Sequence, residues 1–172
     1  MLEVIKKRRS IRKFQKKEVE EEKLKEILKA AMYSPSAMHR RPWEFIVVRD
    51  KEIKEKLSKA TPWCGFVKDA PVVLVIGAKP GILSKFWVED CAIAAENIYL
   101  EATNQGLGTC FCQILGSKTV LLKDSEEYVR EVIKAPKNVR ILCLMPLGYP
   151  AEKKPEHTEE EFDKKKIHYE KW

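Results

Sequence analysis

No apolar run in this 172-residue chain approaches the roughly 20 residues that a membrane-spanning helix needs, so no transmembrane segment is expected. Histidine is scarce, with three in all. His157 and His168 have no partners at metal-ligand spacing, which argues against a metal site. The five cysteines, at 64, 91, 110, 112 and 143, are an odd set without paired ligand spacing, and no secretory leader is legible before the charged N-terminus. Both features point to reduced thiols in a cytoplasmic protein. Internal repeats, low-complexity linkers and shifts of composition are lacking too, which leaves one domain over 1–172.

What the chain has is charge. Hydrophobic residues make up 44%, close to the globular norm, whereas charged residues reach 34% against a usual value of about a quarter. Both signs are mixed, but the formal net charge is +7, which favours anionic ligands or cofactors and leaves nucleic acid open as a partner.

Much of the surplus lies between Lys6 and Lys17, a run with eight Lys or Arg and no acidic residue. At its centre, Arg8-Arg9-Ser10-Ile11-Arg12 sets three guanidiniums and a hydroxyl within five residues. A guanidinium offers phosphate a planar fork of donors and stays charged at any working pH. Leu2, Val4 and Ile5 before this stretch, and Ile11 and Phe14 within it, are residues that a purely solvated arm does not need, so the charges are expected to be pinned to a core. Two readings stand side by side: a phosphate receptor, or a basic nucleic-acid-binding face. Few aromatics lie near the run and no recognition-helix or RNA-binding signature accompanies it.

Periodicity gives the elements. Residues 2–8 suit a short helix, and between Glu20 and Met32 the apolar Leu24, Ile27, Leu28 and Ala31 recur at helical spacing, stopping at Ser34-Pro35. Phe45 to Val48 reads as a buried strand, and Asp50 caps a helix that buries Ile53 and Leu57. Pro71 to Ala78 reads as a central strand covered on both faces. The longest helix runs from about Phe86 to Gln105 and ends at Gly106. Its small residues leave room for a close neighbour, either a core helix or the same helix of a partner subunit. A helix near Asp124 to Lys134, a strand from Val139 to Leu147 and a charged tail follow. Ile167, His168, Tyr169 and Trp172 suggest that the tail packs at its end.

A second informative stretch is Ser34-Pro35-Ser36-Ala37-Met38-His39-Arg40-Arg41-Pro42-Trp43. Its prolines fix the backbone, and its small residues let the chain approach a planar ligand; an ordinary helix-to-strand connection has the same composition. Cys110 and Cys112 share one face of a strand, and buried cysteine acting as a small hydrophobe is their commoner role.

The RRSIR stretch, the SPSAMHRRPW loop, the segment DCAIAAENIYLEATNQGLGTC and a terminal LGYP followed by HYEKW together resemble the FMN-dependent nitroreductase family, from about residue 2 to Trp172. The resemblance implies an α+β fold with a central, mostly antiparallel sheet flanked by helices, in an intertwined homodimer that holds FMN at the subunit interface. It places Arg8, Arg9 and Ser10 at the FMN phosphate and ribityl chain, and Arg12 at the pyrimidine edge of the ring. Pro35, Ser36, Ala37 and His39 would arrive over the flavin from the other subunit. Phe111, Cys112, Gln113 and Ile114 would border the ring near N5, and Gly148 of LGYP is carried over as a further cofactor residue.

The implied activity is transfer of hydride from NAD(P)H to an electron-poor acceptor, a nitroaromatic or a quinone, by ping-pong kinetics. The chemistry is the cofactor's, so no side chain is assigned as a catalytic acid or base. A flavin-binding protein without turnover is the other reading that the resemblance allows. His39 and Arg41 stand where the family usually has Asn and Gln, and a histidine at the first position is similar to the iodotyrosine deiodinase branch. That branch's substrate-gripping segment is reduced here to Lys79 through Lys85, so deiodination is not implied. The resemblance also implies a basic tail residue at the phosphate, with Lys164, Lys165 and Lys166 as candidates.

Overall fold

The computed structural model describes residues 1–81 and 84–172. Residues 82 and 83, within the shortened Lys79 to Lys85 segment, lie outside the described residues. Helices α1 (Leu2–Lys7), α2 (Glu21–Met32), α3 (Lys51–Leu57), α4 (Trp87–Asn104) and α5 (Ser125–Val132) surround strands β1 (Trp43–Val48), β2 (Val72–Ala78), β3 (Gly108–Thr109), β4 (Cys112–Gln113) and β5 (Arg140–Gly148). The sheet order is β1-β2-β5-β3, with β4 also paired to β5, and every strand pair is antiparallel. The expected α+β architecture is therefore present.

Strand β2 is buried along its whole length because helices cover both faces. With side chains alternating between faces, Val72, Leu74 and Ile76 join the layer that contains α2 and α4, while Val73 and Val75 join the layer that contains α3 and α5. Asp50 and Asp124 cap their helices as the sequence suggests, each accepting from a backbone amide at 2.8 Å. Buried Glu126 ties α5 to β5 by accepting from the Arg140 guanidinium at 2.6 Å and from the Ile141 amide at 3.0 Å.

A register shift in β5 shapes the site. Ile76 pairs with Cys143 but Gly77 pairs with Ile141, so Leu142 is an extra residue in the ladder. On the other side of β5 the Leu142 carbonyl accepts the amides of Ile114 and Leu115, at 2.9 and 3.1 Å, which continues the β4 register and fixes the chain that follows β4. Gly77 is required at this point, since an added Cβ would sit 2.2 Å from the Arg140 carbonyl oxygen.

One expectation is corrected. The end of the tail does not pack on its own subunit: residues 158–172 are exposed, Trp172 completely. The only aromatic pair there is His168 stacked on Trp172, with centroids 4.1 Å apart. The near part of the tail is pinned beside residues 6–15, and the charged stretch after it then carries the chain into solvent.

Candidate functional site

The basic run leaves α1 as extended chain. Ser10 bridges to Thr109, and the Ile11 amide donates to the Thr109 carbonyl at 2.9 Å. Ile11 is buried against Gly108, where a Cβ would come within 2.6 Å of it. Ile11 thus pins the charges to the core, whereas Leu2 and Ile5, which the sequence suggests would do the same, are exposed.

The tail clasps the other side of the run. The Glu152 carboxylate accepts from the amides of Arg12 and Lys13 at 2.6 and 3.2 Å, and Ala151 donates to the Lys13 carbonyl at 2.8 Å. Arg9 donates to the Pro155 carbonyl at 2.7 Å, Lys6 pairs with Glu159 at 2.9 Å, and Lys154 donates to the Ser10 carbonyl. Arg8 lies 3.3 Å from His157 and stacks over Tyr99. Among the nitrogen-bearing side chains of the tail, Lys154 and His157 are brought to this stretch, whereas Lys164, Lys165 and Lys166 form an exposed turn further on.

Tyr99 joins this stretch to a cavity. Its hydroxyl lies 3.0 Å from Ser10 Oγ and accepts the Phe111 amide at 2.8 Å. Burial raises its pKa, so it stays protonated and has a proton to donate. Beyond it opens a cavity of about 620 Å³ whose wall includes Arg12, Trp63, Phe66, Phe111, Cys112 and Gln113. The Arg12 guanidinium is 5.8 Å from the centre of the Phe66 ring.

Two of the sequence candidates have other work. Ile114 is wholly buried in the core and does not line the cavity. Gly148 is paired with Gly108 inside the sheet, and a Cβ there would meet Pro71 at 2.6 Å. Packing, not the cavity, accounts for both residues.

The proline-bracketed loop lies elsewhere on the subunit. The Ala37 amide donates to Asp90 at 2.8 Å, and Asn97 donates to Ser34 at 2.7 Å. Asn97 and Tyr99 are two positions apart on α4, so they point to roughly opposite sides of the helix. Within one subunit Pro35, Ser36, Ala37 and His39 thus do not meet the cavity, and His39 is exposed. Met38, His39 and Arg41 hold positive φ angles of 52°, 56° and 49°, a strained conformation for non-glycine residues. Arg41 helps hold it by donating its amide to Ser36 at 2.8 Å and its guanidinium to the Met32 carbonyl at 2.7 Å.

Asp90 is the anchor that the sequence did not announce. It is buried in the first turn of α4, where the helix dipole favours a carboxylate. Replacing Asp90 with Ala is expected to cost about 1 kcal/mol by orphaning the Ala37 amide. Hydrogen exchange at Ala37 should then lose its protection; full protection in the variant would show that the loop holds its shape unaided.

The profile of the Nitroreductase family matches residues 5–63 and 59–149. A protein of Methanothermobacter thermautotrophicus, provisionally described as an NADH dehydrogenase/NAD(P)H nitroreductase, is 44% identical over 100% of this chain and 87% of its own length. An NADH dehydrogenase of Thermus thermophilus is 33% identical over 85% of this chain and 84% of that protein. The solved structure of an FMN-dependent nitroreductase from Clostridium difficile is 39% identical, covers 100% of both chains and superposes with a TM-score of 0.95.

Proposed function

Because the chain belongs to the nitroreductase family, we propose that it is a single-domain, homodimeric, FMN-dependent oxidoreductase that passes hydride from NAD(P)H to an electron-poor acceptor, a nitroaromatic or a quinone. The observation that carries this reading is the Ser10–Tyr99–Phe111 linkage, which joins a cluster of anion-binding side chains to the wall of a cavity large enough for a flat ring.

The donor set suits FMN. Arg8, Arg9 and Ser10, with Lys154 beside them, would hold the phosphate and ribityl chain. The Thr109 hydroxyl, bridged through its backbone to Ser10, is buried and has no partner among the described residues, a donor left over for a polar ligand. Arg12 would face the pyrimidine edge, where a cation favours the reduced, more negative form. Phe111, Cys112 and Gln113 would border the ring. When bound, FMN supplies the hydride chemistry, and the chain binds, orients and shields it. NAD(P)H and the acceptor would occupy the same cavity in turn, which gives ping-pong kinetics.

Large apolar side chains support the homodimer. Leu2, Ile5, Met32, Tyr33, Met38 and Ile93 are exposed on α1, the end of α2, the proline loop and α4; α1 and α2 each pack on α4, and the loop bonds to it through Ala37 and Asp90. Exposed apolar surface of this kind marks an interface. A second subunit on that face would bring Pro35, Ser36, Ala37 and His39 to the first subunit's flavin and give Phe162, Ile167, Tyr169 and Trp172 a surface to pack on.

The test is a flavin spectrum of purified protein, thermal melts with added FMN, and anaerobic reduction with NADH and NADPH. At about a hundred times its dissociation constant a ligand stabilises by about 2.7 kcal/mol. For a chain of this size the melting temperature should rise by about 5–10 °C. No flavin absorption and no shift on adding FMN would defeat the proposal.

A further inference from the structure

Just before α5 the chain makes a tight turn with apolar residues at its tip. Lys118 bridges to Asp124 across the turn, the Thr119 amide donates to the Lys123 carbonyl at 2.9 Å, and the Leu122 amide donates to the Thr119 carbonyl at 2.9 Å. The Thr119 hydroxyl accepts the Lys123 amide at 3.1 Å, so the turn is held from within. Val120, Leu121 and Leu122 stand exposed at its tip, Leu121 to 90%. Among the large hydrophobic residues described, only Trp172 is more exposed than Leu121.

Folding does not call for these three side chains. A tight turn favours Gly, Asn, Asp or Ser, and Leu122 holds a φ of 61°, where a residue without a side chain is preferred. Both the backbone and the hydration of the tip are therefore less favourable than polar turn residues would make them. A second exposed apolar residue stands on the same rim. Trp63 is 84% exposed and shares the cavity mouth with Val120 and Leu122. The Ser125 hydroxyl donates to the Ala60 carbonyl at 2.6 Å, which fixes the turn beside the segment that carries Trp63.

The surroundings of the tip select what it meets. The apolar face assigned to the second subunit lies on the α2 and α4 side of the sheet, whereas this turn leads into α5 on the other side. A stable protein interface buries about 800 Å² on each partner, far more than three side chains on a convex tip can offer. Lysines bracket the tip: Lys118 has no ion pair among the described residues, and Lys123 pairs with Glu131 at 2.7 Å, in a chain of net charge +7. Aliphatic side chains with lysine and tryptophan around them suit the boundary of a lipid layer. The aliphatic groups enter the acyl region, lysine meets anionic headgroups, and the indole sits between the two.

We propose that the turn over 118–123 docks the protein on an anionic lipid surface, with Leu121 entering deepest and the cavity mouth set against the lipid. The proposed function bears only on the consequence: a quinone dissolved in the bilayer would reach the cavity without crossing water. Docking itself needs no flavin, so it is tested on the full-length chain with and without added FMN. Sucrose-loaded vesicles of phosphatidylcholine, alone or with about 30% phosphatidylglycerol, are sedimented with the protein. The anionic vesicles are expected to retain it and the neutral ones to retain much less, with retention falling as salt rises from about 0.1 to about 0.5 M. Leu121→Ser should lower the partition coefficient about tenfold, and Lys118→Gln about fivefold. Leu121 is not in the cavity wall, so its variant should keep the flavin content and the rate with a water-soluble quinone. Vesicle binding by a chain that takes up no flavin would sustain this inference while the flavin reading fails. No retention on anionic vesicles, or equal retention of wild type and Leu121→Ser, overturns the proposal. So does a change of oligomeric state in Leu121→Ser on gel filtration, which would show that a second copy covers the tip.

Discussion

Replacing Arg8 and Arg9 together with alanine is expected to weaken FMN binding by at least a hundredfold while the chain still folds. Each charged hydrogen bond to a phosphate oxygen is worth about 1.5–3 kcal/mol. Two of them lost together correspond to about 10²–10⁴ in the dissociation constant. The structural cost is smaller, because both side chains are only half-buried at the rim of the tail clasp. Arg8 gives up its stacking over Tyr99 and a 3.3 Å contact to His157, and Arg9 gives up one bond to the Pro155 carbonyl. Ile11, the Thr109 bridge and the Glu152 contacts to the backbone remain to hold the run in place. Fluorescence titration with FMN measures the loss, and urea midpoints check the fold. Unchanged affinity in a folded double variant would move the phosphate away from this stretch.

The largest effect on stability is expected from Gly77→Ala. The new Cβ would lie 2.2 Å from the Arg140 carbonyl oxygen and 3.2 Å from the Ile141 side chain. A backbone carbonyl in a paired strand cannot rotate away, so the ladder itself must shift, at about 3 kcal/mol or more. The damage should spread to the cavity. Leu142, the extra residue at the Gly77 contact, accepts from Ile114 and Leu115 on its other side, and moving it frees the segment that carries Phe111 to Gln113. The variant should therefore unfold at lower urea and also hold less flavin. Gly65→Ala is the control: a Cβ there meets nothing within 4 Å, so its urea midpoint should hardly move. Equal midpoints for the two variants would show that the register shift is not fixed by this contact.

Much of this architecture is legible in the residues. The apolar run of β2 needs cover on both faces, and the helical spacing of Leu24, Ile27 and Ala31 predicts the face that α2 buries. Gly106, with a φ of 73°, ends the long helix because left-handed backbone there suits a residue without a side chain. Arg8, Ser10, Arg12 and Phe111 are gathered around Tyr99 and the cavity. Ile114 and Gly148 are occupied by packing, which a motif match cannot distinguish from ligand contact. Lys154 and His157 carried no signal, because such residues in a charged tail look like many others, and Asp90, although it opens the quoted DCAIAAEN segment, gave no sign of its bond to the loop.

The sequence by itself determined the helices, the three long strands, the cover on both faces of β2 and the chemistry available at the basic stretch, since periodicity and side-chain type act over a few residues; the two-residue strands β3 and β4 were too short to show. Only the tertiary structure decided which groups meet. Arg8 reaches His157, 149 positions away, and Ser10 reaches Tyr99 across 89. Contacts of that span depend on how the sheet and its helices close on each other, and no local pattern encodes that closure.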